Sequence, residues 1–234
     1  MIHGFRRPLR VAALVATAAT VAACGKDSSG STSPGGGGSL TGLTIVIDSA
    51  SKSQTATIGT AIQIGLRVSD ATATNGVANQ TVTFSPDSGN GSVAPTSATS
   101  DASGRATVSW TLGTRSGTNT LKISVTGATS TVTATATAGP FAKLVKVTTD
   151  SQTVVASASA SLVVRSADQY GNPVPNVPVT WTATGGTLTP AATTTGASGN
   201  ASVTFTTTAT PATTYTITAT AAGAAPITFT LTGS

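Results

Sequence analysis

A lone thiol is the first group in this sequence that could do chemistry. Cys24 is the only cysteine among 234 residues, so no disulfide can form within the chain. It follows the apolar or small run 11–23, broken only by Thr17 and Thr20, and it precedes a stretch of Ser and Gly. The single histidine, His3, lies before that run, and glutamate is absent. The acids are seven aspartates: Asp27, Asp48, Asp70, Asp87, Asp101, Asp150 and Asp168. With His3 in a leader that is removed, no Cys–His or Ser–His pair remains, nor any His or Cys cluster for zinc. Paired aspartates could serve glycoside chemistry, but these are isolated in sequence and fall mainly where turns are expected. The chain therefore reads as a non-enzyme with no cofactor, no metal and no small-molecule substrate.

The residues around Cys24 give it a different role. Residues 1–10 carry Arg6, Arg7 and Arg10 and no acid. The apolar run that follows is shorter than the roughly 20 residues a bilayer span needs. A basic start, a short apolar segment and small residues at its end read as a secretory signal. In the plainer reading, signal peptidase cuts near the alanines and Cys24 is incidental. In the sharper one, Val21-Ala22-Ala23-Cys24 resembles a bacterial lipobox, although leucine is commoner than valine at its first position. The resemblance implies a signal peptide over 1–23, diacylglycerol on the Cys24 thiol, cleavage before it and usually acylation of the new amine. Each buried methylene contributes about 0.8 kcal/mol, so several acyl chains anchor stably where one is marginal. In a Gram-negative cell, Gly25 is not the aspartate that retains lipoproteins in the inner membrane, which implies the outer membrane.

Residues 24–39 follow as a lipidated cysteine and tether. "KDSSGSTSPGGGGS", Lys26 to Ser39, has almost nothing to bury, and its Gly and Ser make a flexible coil. Fully extended, 24–39 reaches about 55 Å at most, and coil statistics give an average of about 20–25 Å. The full chain is formally +5. Without the leader arginines, nine basic residues face seven aspartates, a net +2. No basic cluster remains that would point to nucleic acid.

Beyond residue 40 the sequence alternates with a period of two, the mark of half-buried strands. Ile62, Ile64, Leu66 and Val68 share one face of 61–68; Ala106, Val108, Trp110 and Leu112 share one face of 105–112; Leu121, Ile123 and Val125 share one face of 120–125. The opposite faces are largely Thr and Ser, and threonine's branched Cβ suits an exposed strand. The pattern then repeats. "NGVANQTVTF" (75–84) is answered by "GNPVPNVPVTW" (171–181), "SDASGRATVSWT" (100–111) by "TGASGNASVTFT" (195–206), and "TLKISVTG" (120–127) by "TYTITATA" (214–221). The offset drifts from 97 to 94, giving two copies of about 95 residues, 40–139 and 140–234, with a junction near Ala138-Gly139-Pro140. A proline there fixes φ and restricts its neighbour, so end-to-end stacking with little slack is expected. About 95 residues suit an immunoglobulin-type sandwich of seven short strands. The fold class expected is all-β, two tandem immunoglobulin-like β-sandwich domains.

"ADQYGNPVPNVPVTWTATGGTL" (167–188) and "TTGASGNASVTF" (194–205) resemble the bacterial immunoglobulin-like group 1 repeats of invasin and intimin. The shared pattern is D-x-x-G-N-P-V-x-x-V-x-V-x-[FW], a Gly-rich turn, then A-x-V-x-[FW]. The first copy, "SDATATNGVANQTVTFSP", lacks the Gly-Asn-Pro turn. The resemblance implies a sandwich in each half. It implies less about function, since such repeats form a stiff stalk in invasin while a terminal lectin-like domain governs binding. No such domain is expected after the second copy, and the lipid would replace the outer-membrane barrel as anchor.

Each notable side chain has a plain reading beside a functional one. Trp110 and Trp181 alternate with valines, which favours core packing over sugar stacking. Asp101 and Asp168 precede glycines, and aspartates of this kind bond to turn backbone, whereas calcium needs six to eight oxygens. Tyr170 could touch a partner, but a packed tyrosine at a turn is favoured. The N-x-S/T triplets at Asn79, Asn90 and Asn200 are expected by chance in so Ser/Thr-rich a chain. The functional expectation is a cell-envelope lipoprotein, membrane-bound through Cys24. Its body faces the periplasm or the outside and serves adhesion or interaction with a protein or glycan. The alternative is a passive spacer or an accessory subunit of an envelope complex.

Overall fold

In a strand, successive side chains point to opposite faces, so a period of two in hydrophobicity becomes one buried and one wet face. A computed structural model describes residues 42–234, all within one compact unit. The leader, Cys24 and the tether to residue 39 lie outside the described residues. The first sandwich contains β1 (Leu43–Ile47), β2 (Gln54–Thr57), β3 (Ala61–Asp70), β4 (Thr81–Pro86), β5 (Ser92–Ala94), β6 (Ser97–Thr99), β7 (Arg105–Thr111), β8 (Gly117–Val125) and β9 (Ala128–Thr137). The second contains β10 (Lys143–Lys146), β11 (Gln152–Val154), β12 (Ser159–Ala167), β13 (Pro178–Ala183), β14 (Thr187–Thr189), β15 (Ala192–Thr194), β16 (Asn200–Thr206), β17 (Thr214–Thr220) and β18 (Ile227–Gly233).

Each sandwich packs a four-stranded sheet on a five-stranded one: β1-β3-β7-β5 on β2-β9-β8-β4-β6, and β10-β12-β16-β14 on β11-β18-β17-β13-β15. Each thus has nine strands rather than the seven expected. The difference lies at the edges, where the chain changes sheets. β1 pairs antiparallel with β3, then β2 pairs parallel with β9 in the other sheet. The crossing includes Ser53, at φ 55°. β10 and β11 repeat this, with Ser151 at φ 59°.

The inward positions match the alternation. Ile47, Ile64, Leu66, Val82, Phe84, Val108, Trp110, Leu121, Ile123 and Val132 are among the first core. Leu162, Val164, Trp181, Phe205, Tyr215, Ile217 and Phe229 are among the second. Trp110 is 0% and Trp181 2% exposed, so both are core residues. Their indole N–H groups stay bonded, Trp110 to the Asn90 carbonyl at 2.9 Å and Trp181 to Thr193 Oγ1 at 3.0 Å. Trp110 lies on a four-stranded sheet and Trp181 on a five-stranded one, with Phe84 and Phe205 at the exchanged positions.

Strand register corrects one repeat assignment. Phe84 pairs with Ile123, and its counterpart Trp181 pairs with Ala219. Leu121 therefore corresponds to Ile217 and Asn119 to Tyr215, an offset of 96 rather than 94. The Thr-rich pattern reads equally well when slipped by two, because such a slip keeps every side chain on its own face. Only the cross-strand partners distinguish the two.

Candidate functional site at the domain junction

The Asp-x-x-Gly-Asn-Pro segment of the second copy lies where the two sandwiches meet. Asp168 ends the run begun by β12 and is fully buried. Its Oδ1 accepts the N–H groups of Tyr170 and Asn172, both at 2.9 Å, which closes the turn. Its Oδ2 accepts the Asn172 side-chain amide at 2.8 Å and the Gly139 N–H at 2.9 Å. One carboxylate thus holds its own turn and the segment that joins the sandwiches. Burial pushes the Asp168 carboxyl up, but the Asn172 side chain and the N–H groups of Gly139, Asn172 and Tyr170 outweigh it and hold the group below its usual range.

Asn172 carries the junction further. Its Nδ2 also donates to the Thr114 carbonyl at 2.8 Å, and its Oδ1 accepts the Ser116 N–H at 2.8 Å. Thr114 and Ser116 belong to the β7–β8 loop of the first sandwich. That loop is positioned from beneath by buried Asn119, which accepts the Gly113 N–H at 2.9 Å. Asn172 thereby reads both a donor and an acceptor of the first sandwich, a pairing that a carboxamide satisfies and a carboxylate does not.

The first copy contains the same carboxylate–carboxamide pair in a local role. Asp70 Oδ2 accepts Asn75 Nδ2 at 2.8 Å, and its Oδ1 accepts the hydroxyl of Thr72 at 2.8 Å and the N–H of Thr74 at 3.1 Å. Bonds from Thr72 and Asn75 lower the Asp70 carboxyl to about 2. The loss of the Gly-Asn-Pro turn in the first copy lengthens this loop and leaves Asn75 exposed. Asp101 is also a turn residue, its Oδ1 accepting the N–H groups of Ser103 and Arg105 at 2.8 Å.

Tyr170 departs from its expected packing: it is 56% exposed. Its backbone N–H is held by Asp168, which turns the ring outward beside a cleft of about 330 Å3 bordered by Ile58, Pro140 and Phe141. Asp168, Asn172 and Tyr170 thus come together at the junction, while Trp110 and Trp181 stay in separate cores. Thr114, Ser116 and Asn119 have no sequence signal, because their role rests on one loop's backbone groups. Among the described residues no group of three His, Cys, Asp or Glu side chains could hold a metal. No helix of the described residues is long and apolar enough to cross a membrane.

Residues 144–232 match the bacterial Ig-like domain (group 1), the family the sequence resembles. Solved structures with a similar architecture include the D0-D1 domain of intimin, at 23% identity over 80% of this chain and 97% of that one, TM-score 0.31. Yersinia pseudotuberculosis InvD shows 20% identity over 84% and 58%, TM-score 0.49. Invasin, described as a bacterial integrin-binding protein, shows 23% over 82% and 40%, TM-score 0.39. This chain therefore spans about half the length of the latter two. No curated protein sequence matches the chain.

Proposed function

We propose that this chain is a cell-envelope lipoprotein, anchored in the outer membrane through Cys24, that displays two Ig-like sandwiches for adhesion or for interaction with a protein or glycan. The observation that carries this reading is the junction. Asp168 and Asn172 tie the second sandwich to Gly139, Thr114 and Ser116 through four hydrogen bonds of 2.8–2.9 Å, counting the bond between them. A joint held by part-buried bonds that run in both directions keeps the outer sandwich at a set orientation to the anchored one, as a presented binding surface requires. The lipobox-like Val21-Ala22-Ala23-Cys24 supports the anchor. A passive spacer or accessory subunit would use the same joint.

The test separates anchor from interaction. Wild type and Cys24→Ser are expressed in a bacterium with labelled palmitate, and intact cells are probed for surface accessibility and for captured partners. Labelling and detergent partitioning of wild type alone support the anchor, and equal labelling of both chains refutes it. Surface exposure without any captured protein or glycan favours the spacer.

A further inference from the structure

The two sandwiches differ at the lateral seam between their sheets. In the second, the seam is closed by charge: Asp150 Oδ1 accepts the Thr230 N–H at 3.1 Å, Asp150 pairs with Lys146, and the Lys146 ammonium lies 5.3 Å from the centre of the Phe229 ring. Register identifies the counterparts in the first. Lys146 pairs with Val164 and Ile47 with Leu66, so Ile47 stands for Lys146. Gln152 pairs with Leu231 and Gln54 with Ala134, so Thr133 stands for Thr230 and Val132 for Phe229. The left-handed serines Ser151 and Ser53 correspond, and the residue before each is Asp150 in one copy and Lys52 in the other. At the position where the second seam has a carboxylate, the first has an ammonium.

The consequence is an open groove of about 420 Å3, lined in part by Ile45, Ile47, Lys52, Val132 and Thr133. Thr133 is opposite Thr120, whose carbonyl is taken by the Asp87 N–H on the far side at 3.1 Å. The Thr133 N–H therefore turns outward, as that of Thr230 does, and it has no acceptor among the described residues. β1 is the end strand of its sheet, and β2 covers β9 only from Ala134 onward. The groove is thus flanked by two strand edges with open main-chain positions.

We propose that this groove binds an extended polypeptide segment carrying a carboxylate beside a large apolar side chain. The carboxylate takes the Asp150 position, accepting the Thr133 N–H and pairing with Lys52. The apolar side chain packs against half-buried Ile45 at the mouth of the groove, beside Ile47 and Val132, which belong to the first core; Val132 is smaller than Phe229, its counterpart in the second copy. The strand edges offer main-chain groups to an extended segment. This gives the interaction reading a surface and a partner chemistry, and it is independent of lipidation at Cys24.

The test uses the isotope-labelled whole chain, titrated with acetyl-Phe-Asp-Phe-amide and with its Asn counterpart while amide resonances are followed. The expected result is a saturable shift at Thr133 and Lys52 with the Asp peptide, roughly tenfold weaker binding of the Asn peptide, and loss of the shift in a chain carrying Ile47→Lys and Lys52→Asp. That double variant rebuilds the second copy's seal, and a melting temperature no lower than wild type checks that it folds. Absence of a saturable Thr133 shift, equal binding of the two peptides, or undiminished binding by the sealed variant overturns the proposal. A saturable shift with octanoate but not with the Asp peptide overturns it in favour of a lipid acid. None of these outcomes bears on palmitate labelling, so the anchor stands or falls separately.

Discussion

Asn172 and Ser116 lie 56 positions apart and meet through one hydrogen bond, the Ser116 N–H donating to the Asn172 carboxamide oxygen at 2.8 Å. The same carboxamide donates to the Thr114 carbonyl and to Asp168. A turn motif that appears local is therefore a connector between sandwiches.

Replacing Asn172 with Ala removes those bonds while the backbone bond from its N–H to Asp168 remains. Thr114 is exposed and Ser116 half-buried, so water can replace part of what they lose, and buried Asp168 keeps three other donors. We expect about 1–2 kcal/mol in denaturant unfolding of the full chain, with a broadened distance distribution in small-angle scattering. Asn172→Asp should loosen the joint as much, since a carboxylate cannot donate to Thr114. An unchanged distribution in both variants would mean that the junction is held elsewhere.

Asp168 makes stability depend on pH. Its carboxyl lies lower in the folded chain than its ordinary value of 3.8. Its contribution is therefore fully present above that ordinary value and is lost as pH falls through the lower, folded one. Unfolding followed from pH 7 to pH 2 should show little change from this group until the acid range. Asp168→Asn should be less stable at neutral pH, because an amide cannot accept all four donors, and should show a smaller acid loss. An equal acid loss in both chains would assign it to other groups.

The two tryptophans should behave as core anchors. Trp110→Ala and Trp181→Ala are each expected to cost about 3–5 kcal/mol. That is a large part of the 5–15 kcal/mol typical of a domain. Chemical denaturation with near-ultraviolet dichroism measures this, and wild-type midpoints would contradict the burial.

Gly104 should resist substitution. It sits at φ 78°, and a Cβ there would lie 2.3 Å from the Val68 carbonyl oxygen. The left-handed backbone alone costs a side chain about 1–2 kcal/mol, so Gly104→Ala should exceed that, while Gly59→Ala, with open space around it, should cost little beyond the backbone. Equal melting shifts would show that the crowding relaxes.

Residues 40–139 and 140–234, expressed apart, should each melt cooperatively and ignore chelator and reductant. Each set of strands surrounds its own hydrophobic cluster. The second half should melt lower than in the full chain, because Asn172 then loses Thr114 and Ser116. Failure of either half to fold alone would make the halves one cooperative unit.

The sequence by itself determined the fold class, because a period of two in hydrophobicity leaves a threonine-rich chain with no better way to bury its Val, Ile, Leu and Trp than two facing sheets. It determined the aspartate turns too, since in those turns the carboxylate accepts N–H groups two to four residues on, as Asp101 does from Ser103 and Arg105. The tertiary structure alone decided what depends on groups distant in sequence. It decided that Asn172 faces Thr114 and Ser116, and that Tyr170 turns outward once Asp168 captures its N–H. It also decided that Leu121 matches Ile217, and that Lys52 stands where the sister sandwich has Asp150. Each rests on strand register or on main-chain donors and acceptors, which every residue type except proline supplies alike, so side-chain pattern does not encode them.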